Sequence, residues 1–167
     1  MNDVFTLASP LSDRDSWTAA GWCPMERTLD LIGTRSTMTL LREVFYGATR
    51  FDDLTRRAGV TPAVASQRLR QLVDNGLLER QPYQEQGQRT RYEYAITERG
   101  RAVFPIVAAL VQFADGLPRE PGPMVVLSHA DCGEPIVVEV KCAAGHTVPP
   151  AETVVSMAPP AARARKG

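Results

Sequence analysis

Several things are scarce in this chain of 167 residues, and each scarcity excludes a class of function. No apolar run approaches the roughly 18 residues that a membrane-spanning helix needs. Residues 1–16 carry acids and no basic stretch ahead of an apolar run, so they do not read as a secretory signal, and a cytoplasmic protein is expected. Three cysteines, Cys23, Cys132 and Cys142, make an odd count and a poor disulfide framework. Two histidines, no glycine-rich phosphate loop and no nucleophile beside a base leave little for catalysis, and no enzyme is expected. Lysine is nearly absent, with two against 17 arginines. Arginine is the cation whose planar fork suits phosphate and guanine.

Formal net charge is zero, so the distribution matters more than the sum. Residues 25–101 hold 13 arginines and 10 acids, a net of +3, whereas the flanks are slightly acidic. The basic excess falls on a patterned region. A helix is expected from Pro24 through Ile32, with Pro24 in its first turn. Another follows over 37–45, where Met38, Leu41 and Phe45 share a face. A short helix over 51–58 ends at Gly59. Thr61 and Pro62 then form an N-cap and first-turn pair for a helix running to Asn75. In that helix Val64, Leu69, Leu72 and Val73 face inward, and Ser66, Gln67, Arg68, Arg70 and Gln71 mostly outward. Strands are expected over 77–83 and 91–97, the second with Tyr92, Tyr94 and Ile96 on one side. A last helix over 98–116, which Pro105 either bends slightly or joins inside its early turns, carries the apolar stripe Val103, Ile106, Val107, Leu110 and Phe113. A further short helix is expected over 15–21.

Helix, tight turn, helix and basic hairpin is the order of a winged helix-turn-helix, which lays its second helix in the DNA major groove. The residues expected to meet DNA are Thr61, Ser66, Gln67, Arg68 and Arg70 on the helix and Arg89, Thr90 and Arg91 on the wing. Glutamine is suited to adenine and arginine to guanine, but most contacts should go to phosphate. One winged helix reads few base pairs, so a homodimer on paired half-sites is expected, with the last apolar stripe either its interface or a cover for the domain's own core.

The residues carrying this pattern resemble the HxlR-type winged-helix regulators, relatives of the MarR group. The matching stretches are Cys23-Pro24-Met25-Glu26-Arg27, Leu29-Asp30-Leu31-Ile32-Gly33, Leu40-Leu41-Arg42-Glu43 and Phe51-Asp52-Asp53-Leu54. They continue in Ser66-Gln67-Arg68-Leu69-Arg70-Gln71-Leu72, Gly76-Leu77-Leu78-Glu79-Arg80, Arg91-Tyr92-Glu93-Tyr94 and Thr97-Glu98-Arg99-Gly100. The resemblance spans about residues 22–113. It departs at Arg35-Ser36, where the family often has Lys-Trp, and at Ala63, where a basic residue is common. It implies dimers formed through N- and C-terminal helices, which repress or activate genes in response to small or reactive molecules.

Cys23 aligns with a cysteine common near the start of that family. It is a candidate redox sensor, or else a small buried residue beside Trp22. Trp17, Trp22, Met38, Phe45 and Tyr46 are candidates to line a pocket for a small apolar or aromatic effector, or simply pack the core. In the tail, His129, Cys132, Cys142 and His146 form H-x2-C and C-x3-H clusters about a strand-like run at 136–141, after a weaker strand candidate at 124–127. Three readings stay open there: a structural zinc site, a metal-free hairpin packed by Val126, Ile136, Val138 and Val140, or a Cys132–Cys142 redox pair.

The expected fold is therefore mainly α with a small β wing, plus a small C-terminal β-rich extension. The expected segments are a flexible 1–16, a winged helix over 17–117, a hairpin or degenerate zinc-ribbon-like extension over 118–155 and a disordered tail over 156–167. The expected function is that of a dimeric, sequence-specific transcriptional regulator of double-stranded DNA, responsive to a small-molecule or reactive-species effector. The alternative is a winged helix that docks protein rather than DNA.

Overall fold

The computed structural model describes residues 4–84, 90–118 and 125–158. They fall into two compact units, Gly21–Val138 and a smaller one joining residues 4–20 to 139–158.

The larger unit is mainly helical with a two-stranded wing. Helix α1 is Pro24–Ile32, with Pro24 in the first turn. Helix α2, Arg35–Phe45, begins at Thr34, whose Oγ1 accepts from the Thr37 N–H at 3.2 Å. Helix α3 is Phe51–Ala58 and α4 is Pro62–Asp74. Between them Gly59 takes the left-handed conformation, φ +65°, which turns the chain inside three residues. Helices α2, α3 and α4 pack round Leu40, Leu41, Leu54, Leu69 and Leu72, each wholly buried and joined by Leu78 from the wing. Each such leucine contributes about 1.5–3 kcal/mol of burial. A capping bond contributes about 1 kcal/mol. The core therefore holds the helices together, while the caps set where each one starts.

The wing pairs β2, Leu78–Tyr83, antiparallel with β3, Arg91–Ile96, in register from Leu78 opposite Ile96 to Tyr83 opposite Arg91. Pro82 is tolerated in this two-stranded sheet because its missing N–H can face outward. Thr97 then caps the short helix α5, Glu98–Arg101, its Oγ1 accepting from the Gly100 N–H at 2.9 Å and lying 2.7 Å from the Gly76 carbonyl to which it donates.

One long helix over 98–116 is not what forms. The chain breaks after α5 and restarts as α6, Phe104–Ala114. Pro105 is the reason: it lacks an N–H and clashes with the preceding turn inside a helix, but fits a first turn, which is where it sits.

Helix α6 is apolar on every side but for Gln112. Ala108 is buried, and Gln112 holds the backbone of Val138 from both directions, accepting from its N–H at 2.7 Å and donating to its carbonyl at 3.5 Å. A second face, with Val107, turns toward α2, where Phe45 and Phe104 meet with ring centroids 6.3 Å apart. The third face is bare. Ile106 and Leu110 are exposed, and Phe113 is 70% exposed.

In the smaller unit β1, Phe5–Leu7, runs parallel to β4, Thr153–Val155, with Phe5 opposite Thr153. Leu11 is buried, the Trp17 indole donates to its carbonyl at 3.0 Å, and the Arg14 guanidinium lies 3.8 Å from the Trp17 ring centroid. The helix expected over 15–21 reduces to a single 3-10 turn, Arg14–Ser16. Among the described residues, those over 136–141 join no ladder. They are tied by single backbone bonds and by isolated bridges, Ser128 with Pro135 in the larger unit and Lys141 with Thr147 in the smaller.

Candidate nucleic-acid interface

Helix α4 has one inward row and one outward row. Ala65, Leu69 and Leu72 are buried. At 100° per residue, Ala63, Gln67 and Arg70 lie on the opposite side, and all three are exposed. Thr61 fixes the start of the helix, its Oγ1 accepting from the Val64 N–H at 3.4 Å. The outward row thus begins in the first turn, the part of a recognition helix that meets base edges. Ser66 is exposed on the flank nearer the wing.

Arg68 occupies the other flank, toward α1. Its Nη1 donates to Gln71 Oε1 at 3.1 Å, and the Gln71 amide donates to the Asp30 carbonyl of α1 at 3.0 Å. Its Nε is enclosed and has no hydrogen-bond partner among the described residues. The structure therefore places Arg68 in a tether between α4 and α1, and Gln67 with Arg70 on the open face.

On the wing, Thr90 and Arg91 are exposed, and Arg89 lies outside the described residues. A groove of about 540 Å³ runs between α3, the flank of α4 and the wing, with Ser66, Arg50, Arg80, Arg91 and Tyr83 along it. Arg50 and Arg80 were missed in the sequence. Arg80 shares the wing face with Tyr94, its partner in register, and its guanidinium lies 3.7 Å from the centroid of Tyr92. Arg50 lies 5.0 Å from the centroid of Tyr83. Both are cation–π contacts that keep a positive charge at the groove while covering an aromatic face. The alternation of the two strands could have identified Arg80. Arg50 precedes a helix and carries no such signal.

Asp52 and Asp53 also border the groove. The Asp53 carboxyl is held below the usual carboxylate range, first by its hydrogen bond from Arg56 at 2.6 Å, with Arg57 at 3.8 Å adding to the effect. Its charge is therefore met by bases on its own helix, and it opposes the groove arginines less than its position alone implies.

Cys23 stands at the N-cap of α1, half-buried, with its carbonyl accepting from the Arg27 N–H at 3.1 Å. The zinc reading of the tail is overturned. Among the described residues no group of three or more His, Cys, Asp or Glu side chains is placed to hold a metal ion, and all three cysteines are free. His129 Nδ1 and Cys132 Sγ approach to 3.4 Å as an isolated pair in the larger unit. Cys142 and His146 belong to a separate turn in the smaller one. There the Cys142 thiol is pulled below its usual range by backbone N–H groups, His146 first and then Ala144. Gly145 occupies the position where a knuckle needs its second thiol, so the turn is closed by backbone bonds instead. Cys132 and Cys142 are not bonded to each other and belong to different units.

Among the described residues no helix is long and apolar enough to cross a membrane. A family model described as HxlR-like helix-turn-helix matches residues 31–120. The HTH-type transcriptional regulator Rv3095 of Mycobacterium tuberculosis is 44% identical over 109 residues, which cover 65% of this chain and 68% of the relative. The crystal structure of PA1607, a candidate transcription factor, superposes with a TM-score of 0.72 at 31% identity, over 83% of this chain and 96% of that one. The redox regulator HypR in its oxidised form gives a TM-score of 0.52 at 29% identity, over 59% of this chain and 100% of that one.

Proposed function

We infer, since this chain belongs to the HxlR-like helix-turn-helix family of DNA-binding transcriptional regulators and is not an enzyme, that it acts as a sequence-specific homodimer on paired half-sites. The observation that carries this reading is the open row of Gln67 and Arg70 on α4 beside a wing groove bearing Arg50, Arg80 and Arg91. Arg70 and Gln67 offer bidentate hydrogen bonds to guanine and adenine edges. The groove arginines and Thr90 offer phosphate contacts that set register. Selection of bound fragments from a random DNA library, followed by titration at two salt concentrations, tests it. A palindrome with half-sites about 34 Å apart or a multiple of that, and steeply salt-dependent affinity, is the expected result. No enriched sequence, with retention of a protein partner instead, would establish the protein-docking alternative.

The dimer reading is supported by the bare third of α6 and by α1, where Leu29 is exposed and Met25 is 70% exposed. A helix that is apolar all round belongs in an interior. The expected result for Phe113→Glu, or for Leu29→Glu with Phe113→Glu, is a monomer by sedimentation, with operator affinity reduced at least about 100-fold. A double variant that stays dimeric would exclude this face.

The regulator's response is assigned to a small-molecule or reactive-species effector. For the reactive species, support comes from Cys23 at the start of α1 and from the likeness to a redox regulator. Peroxide would oxidise the thiolate to a sulfenic acid and be reduced to water. Displacing the first turn of a dimer helix would then alter the separation of the two α4 helices. Cys23→Ser is expected to hold its operator affinity unchanged in hydrogen peroxide. A variant that responds as the native protein does would remove the thiol mechanism.

A further inference from the structure

Helix α6 meets α2 along a cavity of about 500 Å³. Met38, Phe45 and Tyr46 line one side, and Phe104, Val107 and Val111 line the other. The cavity adjoins the bare face at Leu110, which belongs to both. Residues 104, 107 and 111 fall on one side of α6, while Ile106 and Phe113 fall about 140° away, with Leu110 between them. The walls other than Leu110 therefore stay available when a second copy covers Phe113. Leu127, from the segment that Gln112 clamps at Val138, completes the wall.

The charge along the rim is one-sided. Arg35 and Arg42 both reach the cavity, and no acidic side chain lines it. Arg42 is already engaged, donating to the buried Glu43 carboxylate through Nε at 2.9 Å and through Nη2 at 2.6 Å. Arg35 is exposed and has no ion-pair partner among the described residues. It also sits in the first turn of α2, where the helix dipole favours an anion. The volume falls within the range of small-molecule sites, and mostly apolar walls with one or two placed polar groups are typical of them.

We propose that this cavity binds a small planar aromatic carboxylate, its rings between α2 and α6 and its carboxylate on Arg35, with Leu127 of the C-terminal extension as part of the wall. The site supplies the chemistry of the small-molecule effector, and only its consequence for DNA rests on the regulator reading. The ligand touches α2, which packs on α3 and α4, and α6, which bears the bare face. Binding there alters how the reading head is carried on the dimer helix.

The test is calorimetric titration of the full chain, without DNA, using benzoate, 2-naphthoate and 9-anthroate, each against its neutral amide. At least one acid is expected to bind, with its amide weaker by about tenfold, the loss of one charge-assisted pair. Arg35→Gln is expected to lower the acid to the affinity of the amide and leave the amide unchanged. Val111→Trp fills the cavity and is expected to abolish both. Because a tryptophan there can disturb packing, Arg35→Gln decides the matter if that variant melts early. Equal affinity for acid and amide, no binding by any acid at millimolar concentration, or acid binding unaffected by Arg35→Gln would overturn the proposal. Operator affinity measured without ligand separates the two readings. Intact DNA binding with no acid bound removes the pocket alone, and acid binding without DNA binding removes the regulator reading alone.

Discussion

Gly100→Ala is expected to cost about 3 kcal/mol or more and to lower the melting temperature by roughly 10 °C or more. A Cβ at this position would lie 2.1 Å from the Leu77 carbonyl oxygen and 2.8 Å from Ile96 Cγ1. The first of these neighbours is backbone and cannot swing aside. It also belongs to the turn that feeds the wing, and Thr97 is hydrogen-bonded there to the carbonyls of Gly76 and Leu77. Relief would need α5 to lift from the α4–β2 turn, which separates Val103 from the core it joins. Against a total stability of about 5–15 kcal/mol, such a loss leaves a marginal domain. Gly116→Ala is the control, since a Cβ there meets only the Phe113 carbonyl oxygen at 3.7 Å. Its effect should stay within about 0.5 kcal/mol. Urea denaturation of the pair decides the issue, and equal midpoints would show that the α5 contact yields freely.

Arg70→Ala is expected to weaken operator binding by about 10- to 100-fold per half-site and to relax base preference at one position, because a bidentate base contact is worth about 1–3 kcal/mol. Arg91→Ala should behave differently. It should weaken binding evenly across sequences and reduce the salt slope by about one per protomer. Arg68→Ala should barely change base preference, since that side chain holds Gln71 and through it the Asp30 carbonyl of α1. Its loss should appear in stability instead. Titration of the three variants at several salt concentrations on selected and mismatched sites separates these patterns. Loss of base preference in Arg68→Ala with none in Arg70→Ala would mean that α4 enters the groove rotated by about half a turn from the orientation assigned to it.

The larger unit was legible wherever a local signal coincided with a buried row. Thr61, Pro62 and the spacing of Leu69 and Leu72 located α4, and Tyr94 with Ile96 located β3, within a residue of the observed ends. The apolar stripe running past Pro105 leaves a bend and an early-turn position both open in the sequence, and the ring geometry imposes a fresh start with Pro105 in the first turn. Gln67 and Arg70 could be read as outward from periodicity alone. The tether role of Arg68 could not, because its partner Gln71 reaches the Asp30 carbonyl only once α1 is docked. The tail misled for a chemical reason. His and Cys at knuckle spacing form the same glycine-closed turns with or without a metal, and only their placement in space tells the two apart. The pairing of β1 with β4 left no trace in the sequence, since each strand is three residues long and its partner lies at the far side of the chain.

That pairing makes the chain nested, with one unit interrupted by another. A ribosome adds about 5–20 residues each second and would present all of Gly21–Val138 for folding before Thr153 exists. Residues 5–7 therefore wait, as an unpaired edge, through nearly the whole of synthesis. Closing a loop of about 150 flexible residues costs several kcal/mol in chain entropy. The larger unit folds as an insert within that loop, so fewer free residues remain to be ordered when β1 meets β4. Completion of the smaller unit marks a chain made to at least residue 155, so a product truncated before β4 would carry a finished reading head and an open first strand.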